Sequence, residues 1–294
     1  MIDLHLHTNC SDGTDTVEEL LEKAQQQKLE IISITDHDTV DAYKELENSE
    51  IRNKFKGQII TGVELKAIYN NKNIEILAYG IDFKKMKIYK CNNLQEEILE
   101  HLKQVAEKNQ IEYDKNLKID KQKNKIFGSS TFAGNILQNK DNILKLDLLG
   151  ERELTENNFF RKCESNPNSI FYFDSSKFIR DINDVIEDIH EAGGLAFLAH
   201  AYEYEFKDTK KEIENIIKTT KIDGLECQHS IFSEEQKTEI IQLCQKYNKY
   251  MSGGSDYHAK NKPDIQMGTG KNNNLHIEKQ FVENWIKYCK IIES

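Results

Sequence analysis

The first residues of the chain alternate between apolar and polar side chains, from Ile2 to His7. This two-residue period predicts a short β-strand with one buried face and one face that carries polar groups. A polar loop follows, and Thr16 with Glu19 forms a capping-box pattern that marks the start of a helix. The apolar residues behind this cap recur at helical spacing, at Val17, Leu20, Leu21 and Ala24. The chain therefore opens with a strand, a loop and an amphipathic helix.

This alternation of strand and helix recurs along the chain. Short apolar or β-branched runs predict strands at 31–35, 59–65, 195–199 and 224–229, a hairpin partner or neighbouring strand at 74–81, and a final stretch at 250–258. Helical spacing predicts helices at 40–46 and 182–189, one opened by the Ser233 and Gln236 capping box, and a last amphipathic helix at about 276–292. A (β/α) barrel is built from such units.

The pattern changes between residues 84 and 177. Lys and Asn become frequent there, glycine-bounded strands disappear, and Leu94, Ile98, Leu102 and Val105 trace a helical stripe. We therefore predict a barrel formed by 1–83 and 178–294, and an inserted, mostly helical subdomain at 84–177. Two interpretations of the Lys-rich insertion stay open: a solvated surface, or a lid that supplies positive charge to a phosphate.

Length and charge narrow the class of protein. A chain of 294 residues, with 38% hydrophobic residues, is long enough for one large globular domain or for a barrel with an insertion. The 50 acidic and 40 basic residues give a formal net charge of -10, which offers no general attraction for a nucleic-acid backbone. We expect no long duplex nucleic acid as a partner. An acidic substrate must then be met by local chemistry, such as bound cations.

The cysteines and the apolar runs bear on location. The six cysteines include no CxxC pair, and the start of the chain lacks the basic segment of a secretory signal. Nowhere do about 18 apolar residues run together, as a membrane span requires. We expect a cytoplasmic protein with reduced thiols and no membrane partner.

Histidines and acidic residues follow the apolar runs. Residues i and i+2 of a strand point to the same side, so His5 and His7 converge on one point, and Asp256 and His258 repeat this spacing. Further candidates near strand ends are Asp12, Asp36, His37, Glu64, Glu75, His200 and His229. In a (β/α) barrel these ends lie on one face, which brings distant residues together.

This donor set favours particular ions and a particular reaction. Imidazoles with carboxylates suit Zn²⁺, Mn²⁺ or Fe²⁺ better than Ca²⁺ or Mg²⁺, although Mg²⁺ can bind where oxygen ligands dominate. Clustered divalent ions lower the pKa of a bound water towards neutrality and stabilise the oxygens of an in-line displacement. The sequence therefore predicts hydrolysis of a phosphate ester by a metal-bound hydroxide.

Several motifs, in this order, resemble those of the PHP (polymerase and histidinol phosphatase) superfamily. They are His5-x-His7 with Ser11-Asp12-Gly13, Thr35-Asp36-His37-Asp38, Gly62-Val63-Glu64-Leu65, Ala199-His200, and Gly254-Ser255-Asp256-x-His258. The resemblance implies a distorted (β/α)7 barrel, with about one strand fewer than the usual eight, and an inserted helical lid. It further implies a stand-alone phosphoesterase that acts on a small phosphorylated metabolite or nucleotide: a nucleoside monophosphate, a 3′,5′-bisphosphate or a short RNA end.

The resemblance also implies roles for residues. His5, His7, Glu64 and Asp256 would hold a first metal ion, Glu64 would bridge to a second held also by His200, and Asp12, His37 and His258 would hold a third. Two to three divalent ions per chain are thus expected as cofactors. Asp36 would orient an imidazole or handle a proton, and His229 would contact the phosphate or protonate the leaving group.

The chain departs from the superfamily pattern in places. Glu75 stands where the superfamily usually has a histidine, and is either a metal ligand that favours harder ions or an ordinary solvent-facing strand residue. His229 is either a substrate contact or a polar residue at a strand end. The proline and arginine that often follow Ala-His are replaced by 201–204, and an Arg-Pro-His stretch by 129–132. Two rival functions stay open: an amidohydrolase-type C–N hydrolase, and a degenerate module that binds metal without turnover.

Overall fold

The computed structural model describes residues 1–89, 93–119, 127–156, 158–204 and 206–292. The described chain forms two compact units. The barrel unit comprises Met1–Tyr69, Ile74–Lys90 and Arg180–Ser294, and the inserted unit comprises Asn70–Asn73 and Cys91–Ile179. Residues 90–92, 120–126 and 157 of the predicted insertion lie outside the described residues.

The main sheet follows the order of the chain. Its strands are β1 (Ile2–Leu6), β2 (Ile31–Ile34), β3 (Gln58–Tyr69), β4 (Lys72–Tyr79), β5 (Leu195–Leu198), β6 (Gly224–His229) and β7 (Tyr250–Gly254), hydrogen-bonded in that order. A small separate hairpin is formed by β8 (Ile265–Gln266) and β9 (Gly270–Lys271), and β10 (Ile291–Ile292) pairs with β3. Pairs β1/β2, β2/β3, β5/β6 and β6/β7 are parallel, whereas β4 runs antiparallel to β5. The first residues of β4 therefore lie at the edge where the parallel strands of the sheet end.

The first and last strands of the main sheet meet and nearly close it into a barrel. The backbone N–H of Asp256 donates to the carbonyl of His5 at 2.9 Å, and that of His7 donates to the carbonyl of Tyr257 at 2.9 Å. Gly254 permits this approach, because a Cβ there would lie 2.2 Å from the Cβ of His5 and 2.4 Å from its backbone nitrogen. The closure places the histidine motif of β1 beside the aspartate and histidine motif that follows β7.

Helices lie between the strands. They are α1 (Val17–Gln26), α2 (Asp41–Glu45), α3 (Ser49–Arg52), α4 (Leu94–Lys108), α5 (Gly128–Ile136), α6 (Lys140–Leu148), α7 (Ile182–Glu191), α8 (Thr209–Thr219) and α9 (Glu234–Tyr247). Several of them, such as α1, α7 and α9, follow the apolar spacing of the sequence. The predicted capping boxes of α1 and α9 are both confirmed, at Thr16 with Glu19 and at Ser233 with Gln236. None of these helices, in the ranges that the structure describes, is long and apolar enough to cross a bilayer.

One apolar cluster of the barrel unit is built around Trp285, which is 0% exposed. Its ring stacks on Tyr79, with centroids 5.4 Å apart, and lies 5.0 Å from the ring of Phe197. The indole N–H is shared between the backbone carbonyls of Met251 at 2.9 Å and Phe281 at 3.0 Å. A buried indole needs such an acceptor, so the side chain ties the C-terminal segment to β4, β5 and β7.

The predicted helix at 276–292 is wrong. The segment forms two short 3₁₀ turns, Lys279–Phe281 and Ile286–Tyr288, and then enters β10. β10 pairs antiparallel with β3, where Ile291 lies opposite Ile60. Pairing with the edge of β3 and burial of Trp285 require a chain that bends back on the sheet, and these tertiary contacts override the helical spacing.

The inserted unit has an apolar core of its own. Phe132, Phe159 and Phe171 are each fully buried. Their ring centroids lie 5.3 to 5.9 Å apart, at the distances of tilted and edge-to-face aromatic pairs. The helices α4, α5 and α6 supply the aliphatic residues that surround these rings.

Replacement of Trp285 by alanine tests the C-terminal packing. We expect Trp285→Ala to lower the free energy of unfolding by about 3 to 5 kcal/mol, the usual cost of deleting a buried aromatic side chain. Urea denaturation followed by circular dichroism measures this change. The matched control is Tyr288→Ala in the same segment, because Tyr288 is 59% exposed and should cost less than about 0.5 kcal/mol. Equal losses in both variants would contradict the assigned packing.

Candidate metal centre

The edge of the barrel where the parallel strands end carries a dense cluster of histidines and carboxylates. Their side-chain atoms form four overlapping groups, within each of which the candidate ligand atoms all lie within 4.8 Å of one another. The groups are His7, Asp12, His37 and His258; His5, His229 and Asp256; His5, His7 and Glu64; and His37, Glu64 and Glu75. The structure thus brings together residues that are up to 251 positions apart in sequence, as His5 and Asp256 are.

Glu64 lies at the centre of this cluster and is 0% exposed. Its Oε2 is 3.1 Å from His5 Nε2, 3.3 Å from His7 Nε2 and 3.3 Å from His37 Nδ1. Its other oxygen, Oε1, accepts a hydrogen bond from His200 Nε2 at 2.9 Å. The expectation that candidate ligands follow strand ends is wrong here, because Glu64 lies in the middle of the long strand β3. Each oxygen of this carboxylate faces a different set of imidazoles, as a bridging ligand requires.

Asp256 completes the first set of donors. Its Oδ1 lies 3.5 Å from His5 Nε2 and 3.3 Å from His7 Nε2. Its backbone has a φ of +59°, in the left-handed region that aspartate adopts less often than glycine. The two imidazoles, Asp256 and Glu64 therefore converge on one point between β1, β3 and the loop after β7.

A second set of donors gathers around Asp12. Its Oδ1 lies 3.1 Å from His258 Nε2 and 3.6 Å from His7 Nδ1, and its Oδ2 lies 3.7 Å from His37 Nε2. The Nδ1–H of His258 donates to the backbone carbonyl of Asp256 at 2.9 Å, which leaves its Nε2 directed at Asp12. The His7 and His258 rings stack with centroids 4.0 Å apart. The polar loop after β1 thereby joins the cluster.

Glu75 faces the same cluster. Its Oε1 lies 3.6 Å from His37 Nδ1, and its Oε2 lies 3.4 Å from His200 Nε2. The alternative of an ordinary solvent-facing residue is wrong, because Glu75 is 8% exposed. Glu75 also departs from the strand-end expectation, since it lies near the beginning of β4. The reversed direction of β4 is what carries this carboxylate to the site.

Asp36 supports the loop after β1, whereas His229 faces the cluster directly. Asp36 is buried and accepts hydrogen bonds from the backbone N–H and hydroxyl of Thr8, at 2.7 and 2.6 Å, and from the hydroxyl of Ser11 at 2.6 Å. It therefore holds the loop that carries Asp12. His229 is also buried, and its Nε2 lies 3.4 Å from Asp256 Oδ2, so its ring faces the cluster from the end of β6.

Glu226 is a site residue that the sequence analysis missed. It is fully buried, accepts a hydrogen bond from His5 Nδ1 at 2.9 Å, and accepts another from the backbone N–H of His200 at 2.7 Å. Strict alternation in β6 would place Glu226 and His229 on opposite faces. The register of β6 against β7 shifts between Glu226 and Gln228, and this irregularity lets both side chains face the site.

Asp3 is a second buried carboxylate that was missed. It accepts hydrogen bonds from the backbone N–H and hydroxyl of Ser255, at 2.8 and 2.6 Å, and from the backbone N–H of Gly268 at 2.7 Å. These contacts fix the loop after β7 immediately before Asp256. The signal in sequence was only its place in the alternating run of β1.

The comparison with known protein families agrees with this geometry. The profile of the PHP domain matches residues 3–158, which is more than half of the chain. The chain belongs to the PHP domain family.

Individual relatives span nearly the whole PHP chain. A 5′-3′ exoribonuclease of Haemophilus influenzae is 26% identical over 290 residues, 97% of this chain and 98% of the relative. A phosphoribosyl 1,2-cyclic phosphate 1,2-diphosphodiesterase of Eggerthella lenta is 23% identical over 88% of this chain and 94% of the relative. The solved structure of a candidate metal-dependent phosphoesterase from Bifidobacterium adolescentis aligns with a TM-score of 0.68 at 22% identity, over 98% of this chain and 96% of that one.

These likenesses decide the predicted family, fold and enzyme class. The predicted fold, a distorted (β/α)7 barrel of the PHP type with an inserted helical subdomain, is confirmed. The family and the two relatives make the chain a hydrolase, a metal-dependent phosphoesterase. Its family implies divalent metal ions, for which the histidine and carboxylate groups are the candidate ligands.

The donor chemistry of the PHP site fits such ions. Buried ring nitrogens of His7, His37 and His229 that face the cluster have no hydrogen-bond partner among the residues that the structure describes. An unpaired polar atom in the interior is costly, and a coordinated cation would satisfy each lone pair. Oxygen and imidazole nitrogen are ligands that Mn²⁺, Fe²⁺ and Zn²⁺ accept. The arrangement can therefore hold divalent ions.

The carboxylates set the protonation of the PHP site. Burial alone would lower the pKa of His5 and His7, but Glu64 and Asp256 more than offset it. The pKa of His5 lies well above its ordinary value, and that of His7 is raised to about 9. For His200, nearby carboxylates likewise outweigh burial and raise the pKa to about 8. These imidazoles are protonated at neutral pH, and a bound metal ion would displace their protons.

Four other ionisable side chains of the site have pKa values below their ordinary ones. Burial lowers the pKa of His37 to about 3 and also lowers that of His258. Burial would raise the pKa of Asp12 and Glu64, but the surrounding histidines hold both well below the ordinary range. The site therefore combines ionised carboxylates with imidazoles that are already neutral, which are the forms that bind metals.

Metal binding should depend on pH in a stated direction. A ligand imidazole must be neutral, so at pH 7 an ion has to displace the protons of His7 and His200, whose pKa values are about 9 and about 8. We expect the apparent Mn²⁺ affinity to rise from pH 7 to pH 9, with release of protons. Calorimetric titration in buffers of different ionisation enthalpy measures both quantities. A flat or falling affinity over this range would contradict the assignment.

Loss of the Glu226 carboxylate should weaken metal binding without unfolding the chain. Glu226→Gln keeps the size of the side chain but removes the charge that orients and polarises His5, so we expect Mn²⁺ affinity to fall by about 10- to 100-fold. Equilibrium dialysis with metal analysis measures the loss. Glu235→Gln, at an exposed position of α9, is the control and should bind as the unmodified protein does. A loss in the control alone, or none in Glu226→Gln, would refute the role given to Glu226.

Proposed function

We propose that the chain hydrolyses a phosphate ester of a small phosphorylated metabolite, a nucleotide or the end of a short RNA, with two to three divalent ions held at the barrel edge. The observation that carries this proposal is the Glu64 carboxylate, which is 0% exposed and touches the imidazoles of His5, His7, His37 and His200. A bridging carboxylate surrounded by imidazoles is a donor set for adjacent metal ions and for the two-metal chemistry of phosphoesterases.

The proposed ligands form three sets that share members. His5, His7, Glu64 and Asp256 make the first, and Asp12, His37 and His258 make the third. Glu64, Glu75 and His200 make the second, supported by the 2.9 Å and 3.4 Å distances from His200 Nε2 to the two carboxylates. His37 can serve the second or the third set, since its Nδ1 faces Glu64 and Glu75 while its Nε2 faces Asp12. The second set has the highest proportion of carboxylates, two to one imidazole, and we expect it to prefer Mn²⁺ or Mg²⁺ to Zn²⁺.

Divalent ions bound there would supply a water nucleophile of lowered pKa and neutralise charge on the phosphate. The chain's own residues would orient the ligand side chains and protonate the leaving oxygen. Glu226 holds His5 by its Nδ1, and Asp36 holds the loop that carries Asp12. His229, whose ring lies beside Asp256 in the cluster, is the proposed phosphate contact or proton donor to the leaving oxygen.

The names of two relatives support a substrate that contains ribose phosphate. The one from Haemophilus influenzae is named for an RNA substrate and the one from Eggerthella lenta for a phosphoribosyl cyclic phosphate. Both substrates contain ribose esterified to phosphate. We therefore propose a ribonucleotide-sized ester or the 5′ end of a short RNA as the substrate. The net charge of -10 disfavours long duplexes, whose binding depends on many basic contacts.

The experiment is phosphate or nucleotide release by the purified, metal-loaded protein from nucleoside monophosphates, 3′,5′-bisphosphates, a ribose cyclic phosphate and short 5′-phosphorylated RNA. We expect turnover of at least one ribose ester with added Mn²⁺. We expect the rates of the His5→Ala and Asp256→Asn variants to fall by more than about a hundredfold. Each substitution removes a proposed ligand itself, and not a residue that only orients a ligand. His276→Ala, at an exposed position, is the control and should keep full activity.

Two results would overturn different parts of this proposal. Absence of turnover on the whole panel with every divalent ion would refute the proposed substrate class. Full activity of His5→Ala and Asp256→Asn, with metal content unchanged, would refute the ligand assignment instead.

A further inference from the structure

Lys262 lies at the solvent edge of the metal cluster. Its ammonium forms an ion pair with Oδ2 of Asp256. The side chain of Lys262 is 40% exposed, whereas that of Asp256 is 6% exposed. The pair thus has one buried end, inside the proposed ligand set, and one end that faces the solvent from which a substrate arrives.

The backbone around Lys262 is tied to the loop that carries Asp12. The side-chain amide of Asn261 donates to the backbone carbonyl of Asp12 at 2.6 Å, and the backbone N–H of Lys260 donates to the Thr14 hydroxyl at 3.1 Å. The ammonium is therefore presented to the site by an anchored segment, and its position does not depend on the ion pair with Asp256 alone.

The charges around the site explain why such a cation matters. Acidic neighbours of Lys262 are Asp256, Glu203 and Asp12. A phosphate dianion that approached these carboxylates would be repelled unless cations faced it. In this chain Tyr202 and Glu203 follow the Ala-His motif, so that segment supplies no cation. Lys262 places a positive charge at the same edge of the barrel from a different loop.

We propose that Lys262 is a substrate-binding residue, whose ammonium leaves Asp256 when a divalent ion binds that carboxylate and then holds a non-bridging oxygen of the substrate phosphate. The inference rests on the proposed function, because it requires Asp256 to be a metal ligand. An ammonium and a divalent ion compete for the same carboxylate oxygen, and a lysine stem can move its charge to a neighbouring anion. Lys262 would thereby exchange one anion for another as the site is loaded.

A purely structural role makes a different prediction. If Lys262 only neutralised the buried Asp256, its removal would change metal binding and leave the affinity of the loaded site for phosphate unaltered. If Lys262 binds substrate, its removal weakens phosphate binding, while metal binding stays the same or tightens because a competitor has gone. The two affinities therefore have to be measured separately.

The test uses Lys262→Met, which keeps the stem and removes the charge, and Lys262→Arg, which keeps the charge. Lys260→Met, two residues earlier and exposed, is the matched control. Calorimetry measures Mn²⁺ binding to each protein and then inorganic phosphate binding to each Mn²⁺-loaded protein. For Lys262→Met we expect phosphate affinity to fall by about 10- to 100-fold, as for loss of a hydrogen bond to a charged group. We expect Mn²⁺ affinity to be equal or higher, and Lys262→Arg and Lys260→Met to bind phosphate as the unmodified protein does.

Phosphate affinity that is unchanged in Lys262→Met, with normal Mn²⁺ binding, would overturn the inference and leave the proposed function intact. An equal loss in Lys262→Arg would assign the effect to the loop and also overturn it. If the unmodified protein bound no Mn²⁺, or Asp256→Asn bound it normally, the ligand assignment would fail and this inference with it. Circular dichroism checks folding, and Lys262→Gln replaces Lys262→Met in every comparison if the methionine variant does not fold.

Discussion

The carboxylate of Glu64 meets imidazoles from β1, from the loops after β1 and β2, and from the end of β5, at a position with no solvent contact. A buried carboxylate is stable only when positive charge and hydrogen bonds surround it, because desolvation otherwise costs several kcal/mol. The surrounding histidines provide both, and they also depend on Glu64, whose charge offsets the burial of His5. None of these buried side chains is therefore stable unless the barrel holds several strand ends in register, so the site depends on the fold.

Three further buried carboxylates support the site, and each holds a different segment in place. Glu226 orients His5 and the backbone of His200, Asp36 holds the loop of Asp12, and Asp3 holds the residue before Asp256. Each is buried and each accepts more than one hydrogen bond, so each fixes a segment that carries candidate ligands rather than a single atom. Such outer contacts hold ligands in place even when the ion is exchanged. The acidic excess of the site is thus partly structural, and only part of it faces the substrate.

Sequence reasoning succeeded where a short-range rule applies and failed where tertiary geometry intervenes. The two-residue period of β1 and the motifs at the strand ends predicted most of the residues that meet at the cluster, because parallel strands deliver their ends to one face. Glu226 was missed since a register irregularity in β6 reverses the face to which alternation assigns it. The segment 276–292 was misjudged because its apolar spacing is equally compatible with a helix and with turns that wrap Trp285 and pair β10 with β3. No pattern in one sequence reports such pairings.

Asp256 is where closure of the barrel and chemistry coincide. Its backbone N–H bonds to the carbonyl of His5 across the seam between β1 and β7, while its carboxylate faces the imidazoles of His5 and His7. The positive φ of this residue turns the chain so that both contacts are made at once. A shift of the seam by even one residue would move the carboxylate away from the histidines and expose it to the opposite face. The close approach allowed by Gly254 is therefore a condition for the site as much as for the fold. The candidate metal ligands of β1 and of the loop after β7 are brought together by the same hydrogen bonds that nearly close the sheet.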